Sequence, residues 1–165
     1  SLAGVDLYGS RAACDAGQPA LADAVALLRS VGIATVAAAG NDGSSTSLPA
    51  PACLTGVISV GASCSRADAG FCINGTDAPA GFSNTPPWLD LLAPGTEITS
   101  SIPGNGYAAL SGTSMAAPHV AGALTLLRQQ EPTATVEQLL AKLRSGSVGL
   151  MPITGFGSEP MREVR

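Results

Sequence analysis

The chain has 165 residues and a formal net charge of −4, and 45% of its residues are hydrophobic while 12% are charged. This composition indicates a globular domain with a sizeable core and excludes a disordered segment. The cationic residues are scattered, and no apolar run approaches the roughly 20 residues of a membrane-spanning helix, so we expect neither nucleic acid nor a membrane as a partner.

The first half of the chain predicts one helix followed by short buried strands. Apolar residues recur at helical spacing over Pro19–Ser30, and Gly32 ends the pattern. Short apolar runs bounded by Gly or Pro then predict strands over three ranges, which are Ile33–Ala38, Val57–Ala62 and Leu89–Leu92.

The next part predicts a hairpin that leads into a helix. Short strands near Ile98 and Tyr107 flank residues 103–106, whose sequence Pro-Gly-Asn-Gly is typical of a turn. A helical pattern follows Ser114, and Pro118 inside it lacks a backbone donor, so we expect a bend in the first turns.

A last helix is predicted to begin after Thr135, because Gln138 three residues later completes a capping box. The residues from Gly146 onward are predicted to form a loop or tail. The alternation of helices and strands predicts an α/β protein with a largely parallel sheet and helices on both faces. In such folds the active groups lie at the carboxyl ends of the strands.

The stretch Gly112–Gly122 places one serine hydroxyl, that of Ser114, at the start of a helix. The first turn of a helix presents unpaired N–H groups and the positive end of the helix dipole, which favour negative charge beside the serine. An acyl-transfer nucleophile needs such a setting. The alternative is an ordinary helix cap, since Gly-Thr-Ser also suits that role.

In several stretches the chain resembles the subtilisin-like serine proteases, or subtilases. They are, in order, Ser1–Gly4, Ala37–Gly43, Val57–Ala62, Phe82–Asn84, Leu91–Gly95 and Gly112–Gly122. The resemblance is strongest over residues 1–144 and implies that residues 1–165 form the C-terminal portion of a subtilisin-like peptidase domain, with 145–165 as a loop or tail. It implies the C-terminal half of a three-layer sandwich.

The resemblance also implies a set of site residues. Ser114 matches the nucleophile, with its own N–H as one oxyanion donor, and Asn41 matches the side-chain donor of the oxyanion hole. The alternative for Asn41 is a turn asparagine before Asp42 and Gly43. Two walls of a substrate pocket are implied, one formed by Ala38, Ala39 and Gly40, and the other by Ser1, Leu2, Ala3 and Gly4. Ala3 replaces the glycine usual in the family.

The catalytic aspartate and histidine of the family belong to segments upstream of the one matched by Ser1–Gly4, and these 165 residues do not contain them. His119 is the one histidine. It follows Ser114 by five residues, about 140° around a helix, so we expect a structural, buried and hydrogen-bonded imidazole rather than a general base. Lys142, the one lysine, could form a Ser-Lys dyad, but a solvated surface lysine is the simpler interpretation. We therefore expect the chain to be inactive alone.

Four cysteines without a Cys-x-x-Cys pair favour two disulfides over a zinc site, with free buried thiols as the alternative. Cys64 and Cys72 bracket a short loop, and the resemblance brings the segments of Cys14 and Cys53 together. Disulfides predict a secreted, extracellular or periplasmic protein. No cofactor is expected. Many subtilases bind calcium, so structural calcium stays open, but no loop here has the spacing of a defined calcium motif and we assign no metal ligands.

Two functions of different class remain open at this point. The first is a serine endopeptidase acting on polypeptide substrates, in which the missing N-terminal half of the domain, or a second copy of the chain, completes the cut sheet. The second is a non-catalytic peptide-binding or scaffold module derived from such an enzyme. Because both Ser114 and Asn41 are intact, the residues favour the endopeptidase.

Overall fold

A computed structural model of the chain describes residues 6–65, 70–72 and 75–145, together with the backbone of 152–153 and 161–162. The helices of the described residues are α1 (Arg11–Gly17), α2 (Pro19–Ser30), α3 (Thr113–Gln130) and α4 (Val136–Arg144). The strands are β1 (Leu7–Tyr8), β2 (Thr35–Ala38), β3 (Leu48–Pro49), β4 (Val57–Ser63), β5 (Leu91–Pro94), β6 (Ile98–Ile102), β7 (Gly106–Leu110), β8 (Pro152–Ile153) and β9 (Met161–Arg162).

Three parallel strands in the order β2-β4-β5 form the central sheet. Thr35 pairs with Val57 at one interface, and Val60 pairs with Leu91 at the other. All seven residues of β4 are buried, as expected for a central strand that is covered on both faces and therefore reads as a continuous run of small and apolar residues.

Helices cover both faces of this sheet, which confirms the predicted α/β fold. Ile58 and Val60 belong to one apolar cluster, in which the sheet packs against residues of α3 and α4. Val57 belongs to a second cluster on the other side, with Cys14 of α1 and Val25 of α2. Neighbouring residues of β4 thus divide between two cores because successive side chains of a strand point to opposite faces.

The predicted elements are all present, with shifts at some ends. The helix α2 has the predicted bounds, and Thr135 and Gln138 form both hydrogen bonds of the capping box of α4. Pro118 lies inside α3, which continues as a helix to Gln130. The strand β5 begins two residues later than predicted because Leu89 still belongs to a turn, in which its N–H donates to the carbonyl of Pro86 (2.9 Å).

Two disulfides are present among the described residues, and both join the predicted partners. The long-range disulfide, Cys14–Cys53, ties α1 to the loop before β4 across a sequence separation of 39. The loop disulfide, Cys64–Cys72, closes a segment with a separation of 8. No free cysteine is found.

A buried carboxylate ties both helical layers to the sheet. The side chain of Asp90, 8% exposed, accepts hydrogen bonds from Arg11 of α1 (2.7 Å) and from Arg144 of α4. It also accepts from the N–H (2.8 Å) and the hydroxyl (2.9 Å) of Ser59 in β4. The guanidinium of Arg11 lies over the ring of Trp88, 5.5 Å from its centroid. One carboxylate therefore links four segments distant in the sequence.

Candidate active site

Ser114 lies in the first turn of α3, which begins directly after the extended N-cap residue Gly112. Of the first three N–H groups of the helix, two are paired. Thr113 donates to the side-chain oxygen of Asn41 (2.9 Å), and Met115 donates to the carbonyl of Gly112 (3.0 Å). Within residues 6–65, 70–72 and 75–145, no acceptor is found for the N–H of Ser114. This free donor beside the hydroxyl suits an anionic oxygen.

Asn41 follows the carboxyl end of β2, and its side chain is hydrogen-bonded through its oxygen. Its Oδ1 accepts from the N–H of Thr113 and also from the Thr113 hydroxyl (3.0 Å), which in turn accepts from the N–H of Gly40 (3.1 Å). The amide lies close to the N-cap of α3, because a Cβ added to Gly112 would be in van der Waals contact with Nδ2 of Asn41 (3.4 Å). No acceptor for this Nδ2 lies among the described residues, so it is free to donate.

The loop that carries Asn41 is supported by a residue to which the sequence analysis gave no role. The buried side chain of Asn84 accepts hydrogen bonds from the N–H groups of Asp42 (3.1 Å) and Ser44 (2.8 Å). It donates to the carbonyl of Ala39 (2.9 Å) and to the carboxylate of Asp42 (2.9 Å). The sequence signal was present, because Asn84 ends one of the stretches that carry the resemblance.

Two cavities border Ser114. The larger, about 620 Å³, lies between the free edge of β2 and α3, and its lining is mostly apolar: Val36, Ala37, Ala38, Pro51, Ser114, Ala117, Pro118 and Ala121. The smaller, about 310 Å³, opens on the hairpin side and is lined by Ile98, Thr99, Ser100, Ser114, Met115, Pro118 and His119. Ser114 thus lines both cavities.

The structure brings only part of the predicted substrate wall to this position. Ala38 lines the larger cavity together with Ser114. Ala39 is fully buried and Gly40 is buried, and neither lines the cavity; Ala39 packs in the core and offers its carbonyl to Asn84. Ser1, Leu2, Ala3 and Gly4 lie outside the described residues, so the opposite wall stays a prediction.

No general base for Ser114 is found among the described residues. His119 is hydrogen-bonded, because its Nδ1 donates to the carbonyl of Met115 (2.9 Å), but it is exposed, so the expected burial was wrong. It is not among the residues of α3 that face the core, which include Ala116 and Val120. No hydrogen bond joins it to Ser114. Lys142 forms an ion pair with Glu131 and is 41% exposed, as a surface lysine would be.

The described residues contain neither a cluster of metal ligands nor a membrane-spanning helix. No group of three or more His, Cys, Asp or Glu side chains there could hold a metal ion. None of the described helices combines the length and the apolar character needed to cross a bilayer.

The chain is similar in sequence to proteins of one family. The model of the Subtilase family matches residues 8–156. A thermophilic serine proteinase of Bacillus sp. (strain AK1) is 43% identical over 127 residues, which cover 77% of this chain and 29% of that protein. Subtilisin DY of Bacillus licheniformis is 37% identical over 150 residues, or 89% of this chain and 51% of the relative.

The chain also resembles solved structures of the same kind of protein. A cold adapted subtilisin-like serine proteinase superposes with a TM-score of 0.69 at 29% identity, covering 96% of this chain and 51% of that one. Sphericase superposes with a TM-score of 0.66 at 30% identity, covering 75% of this chain and 43% of its own. The chain spans about half, or less, of the length of these relatives. It belongs to the Subtilase family of serine proteases.

Proposed function

We propose that the chain supplies the nucleophile and the oxyanion hole of a serine endopeptidase. The observation that carries the proposal is a pair of donors without an acceptor among the described residues: the N–H of Ser114, and Nδ2 of Asn41, whose Oδ1 accepts from the adjacent Thr113. Two such donors stabilise the negative oxygen that develops when a peptide carbonyl is attacked. Most relatives named above are described as serine proteinases or subtilisins, which supports the same reaction.

In the proposed reaction, Oγ of Ser114 attacks the carbonyl carbon of the scissile peptide bond. The carbonyl oxygen becomes the oxyanion between the two donors, and the proton of the hydroxyl passes to a general base. That base then protonates the leaving amine as the C–N bond breaks, and water releases the acyl group by the same route. The helix terminus and Asn41 stabilise charge but accept no proton, so the base must come from outside these 165 residues.

We infer that the segments bearing the aspartate and the histidine pack against the open side of this structure. The edge of β2 away from β4 has no strand partner among the described residues. Ala121 and Thr125 of α3, which line a cavity together with Val36 of β2, are exposed, and Ile33 just before β2 is 51% exposed. An open parallel edge next to apolar surface is expected to be covered. The missing half of the domain is the proposed occupant, and a second copy is the alternative.

The two disulfides support an oxidising compartment, so the proposed location is extracellular or periplasmic. Disulfides are rare in proteins of the cytosol, where thiols are kept reduced. Non-reducing peptide mapping of the protein isolated from its source would test this proposal, and four free thiols would contradict it.

The test compares the isolated chain with the same residues joined to the segments that precede them in the complete domain. We expect the complete domain to hydrolyse peptide substrates and to lose this activity in Ser114→Ala. We expect the isolated chain to hydrolyse them negligibly, to react slowly or not at all with a sulfonyl fluoride, and to associate on size-exclusion chromatography. Ser30→Ala is the matched control, because this exposed hydroxyl only bonds the carbonyl of Leu27 within α2.

Two outcomes would overturn parts of this proposal. Rapid turnover by the pure isolated chain that depends on Ser114 would show that a base lies within these residues. An inactive complete domain that has all three catalytic groups in place would favour the non-catalytic peptide-binding or scaffold module instead.

A further inference from the structure

We propose that Asn84 is a positioning residue of the oxyanion hole, whose buried side-chain amide fixes the loop that aims Asn41 at the reacting carbonyl. The inference rests on the proposed function, because it assigns a role within the same site. Asn84 is fully buried and lies in an irregular segment between β4 and β5. It touches neither the hydroxyl of Ser114 nor the free Nδ2 of Asn41.

The side-chain amide of Asn84 uses its full hydrogen-bonding capacity. A side-chain amide accepts two hydrogen bonds at its oxygen and donates two from its nitrogen. Asn84 directs all four to one loop: it accepts from Asp42 (3.1 Å) and Ser44 (2.8 Å), and it donates to Ala39 (2.9 Å) and to the Asp42 carboxylate (2.9 Å). Neither a hydroxyl nor a carboxylate offers two donors and two acceptors, so no other side chain of this size can replace it.

The hydrogen bonds of Asn84 reach the residues on both sides of Asn41. The main-chain N–H of Asn84 donates to the carbonyl of Gly40 (3.1 Å), and its Oδ1 accepts from the N–H of Asp42. The peptide groups on both sides of Asn41 are therefore held by the same residue. Among the described residues, no hydrogen bond reaches the main-chain N–H or carbonyl of Asn41 itself. Its direction thus depends on its neighbours and on the contact of its side chain with Thr113.

The loop that carries Asn41 approaches the side-chain amide of Asn84 closely. Gly40 has φ +94°, and a Cβ at this position would lie 2.5 Å from Nδ2 of Asn84. Any other residue would be strained and would push the amide away.

The same segments are also joined by backbone bonds that do not involve the Asn84 side chain. Gly43 donates to the carbonyl of Phe82 (2.8 Å), and Thr85 donates to the carbonyl of Ser44 (2.7 Å). We therefore expect truncation of Asn84 to leave the loop attached and to let Asn41 move, so that catalysis suffers more than folding does.

The experiment measures kcat and KM of the complete domain on a chromogenic peptide substrate. Loss of an oxyanion donor lowered kcat by about 10²–10³ in subtilisin, so we expect such a fall for Asn41→Ala. For Asn84→Ala we expect a fall in kcat of about 10- to 100-fold with KM within about threefold of the parent. In the Asn41→Ala background, Asn84→Ala should lower kcat by no more than about twofold, because it acts through Asn41.

Two further variants separate positioning from general damage. Ser83→Ala is the matched control: this neighbour is also buried, and its hydroxyl accepts from the N–H of Ala62 in the sheet (2.9 Å) and donates to the main-chain carbonyl of Asn84 (3.4 Å). It takes no part in the four bonds of the Asn84 side chain, so its loss should lower stability and leave kcat unchanged. Asn84→Asp keeps the size and both acceptor bonds but loses the donors. It should reproduce the dependence on Asn41 if Asn84→Ala does not fold.

An unchanged kcat in either Asn84 variant, or equal losses with and without Asn41, would overturn the inference. If the parent domain has no activity, the proposed function fails, and positioning is then judged from crystal structures of the Ser114→Ala domain with and without Asn84→Ala. A displaced Asn41 side chain would support the inference, and an unmoved one would refute it.

Discussion

Replacing Asp90 by Asn tests whether the buried carboxylate that joins both helical layers stabilises the fold. Asn keeps the size of the side chain but removes its charge, and its NH₂ group would face an arginine. Arg11 is 26% exposed and Arg144 is 45% exposed, so solvent compensates each of them partly. Breaking a fully buried pair costs about 3–5 kcal/mol, and an exposed pair contributes about 0–1 kcal/mol. We therefore expect a loss of about 2–3 kcal/mol in the free energy of unfolding.

The measurement is urea unfolding of the complete domain carrying Ser114→Ala, which prevents self-digestion. Asp90→Asn should lower the midpoint and leave the slope m unchanged, since the surface exposed on unfolding is the same. Glu131→Gln is the control: it removes the exposed pair with Lys142 and should cost less than about 1 kcal/mol. A loss for Asp90→Asn no larger than that of the control would refute the argument that this carboxylate stabilises the fold.

Three further predictions follow from other contacts. Replacing both cysteines of the long-range disulfide by Ala should cost about 4 kcal/mol, and the same change at the loop disulfide about 2.5 kcal/mol, because a longer closed loop restricts the unfolded chain more; equal losses in urea unfolding would contradict this. The pKa of Glu137 lies below its ordinary value near 4.5, mainly because of a backbone hydrogen bond and secondly because of the hydrogen bond from Arg29. Its stabilising effect is therefore present above that value and is lost as the pH falls through the lowered pKa, so the Tm difference between parent and Glu137→Gln should shrink in acid; a difference that grows there would refute it. Gly95→Ala places a Cβ 2.5 Å from that of Ala62 and 3.0 Å from the carbonyl of Gly112, so it should lower both Tm and kcat, whereas an unchanged protein would show that this contact relaxes.

Local signals in the sequence were sufficient for α2, α3, α4, the strands of the central sheet and the hairpin, but α1, β1 and β3 were not predicted. The ends of α2 follow from Pro19 at its start and Gly32 after its end, and the cap of α4 follows from one four-residue pattern. The family resemblance singled out Ser114 and Asn41, and the structure has Ser114 in the first turn of α3 and Asn41 after the end of β2, while their roles stay predictions. These features depend on residues close in the sequence or on recognisable motifs.

The remaining features depend on contacts between distant residues, which no local pattern records. The four hydrogen bonds of Asn84 to the Asn41 loop, and the ion pairs of Asp90 with two helices, arise only when the sheet is assembled. The exposure of His119 has the same origin: an apolar helical context indicates burial on average, but the face of α3 that meets the core is set by the sheet. Side-chain roles were therefore harder to predict than the elements.

The helix α3 carries Ser114 in its first turn and core residues in every later turn, from Ala116 through Val120 and Leu124 to Leu127. The hydroxyl of Ser114 thus lies on a helix that is packed against the core rather than on a loop. Local opening of the later turns of α3 requires the core to separate, so the hydrogen-bonded amides of those turns should exchange with solvent only through near-global unfolding. Activity would then be an all-or-none property, and a partly unfolded but active form is not expected.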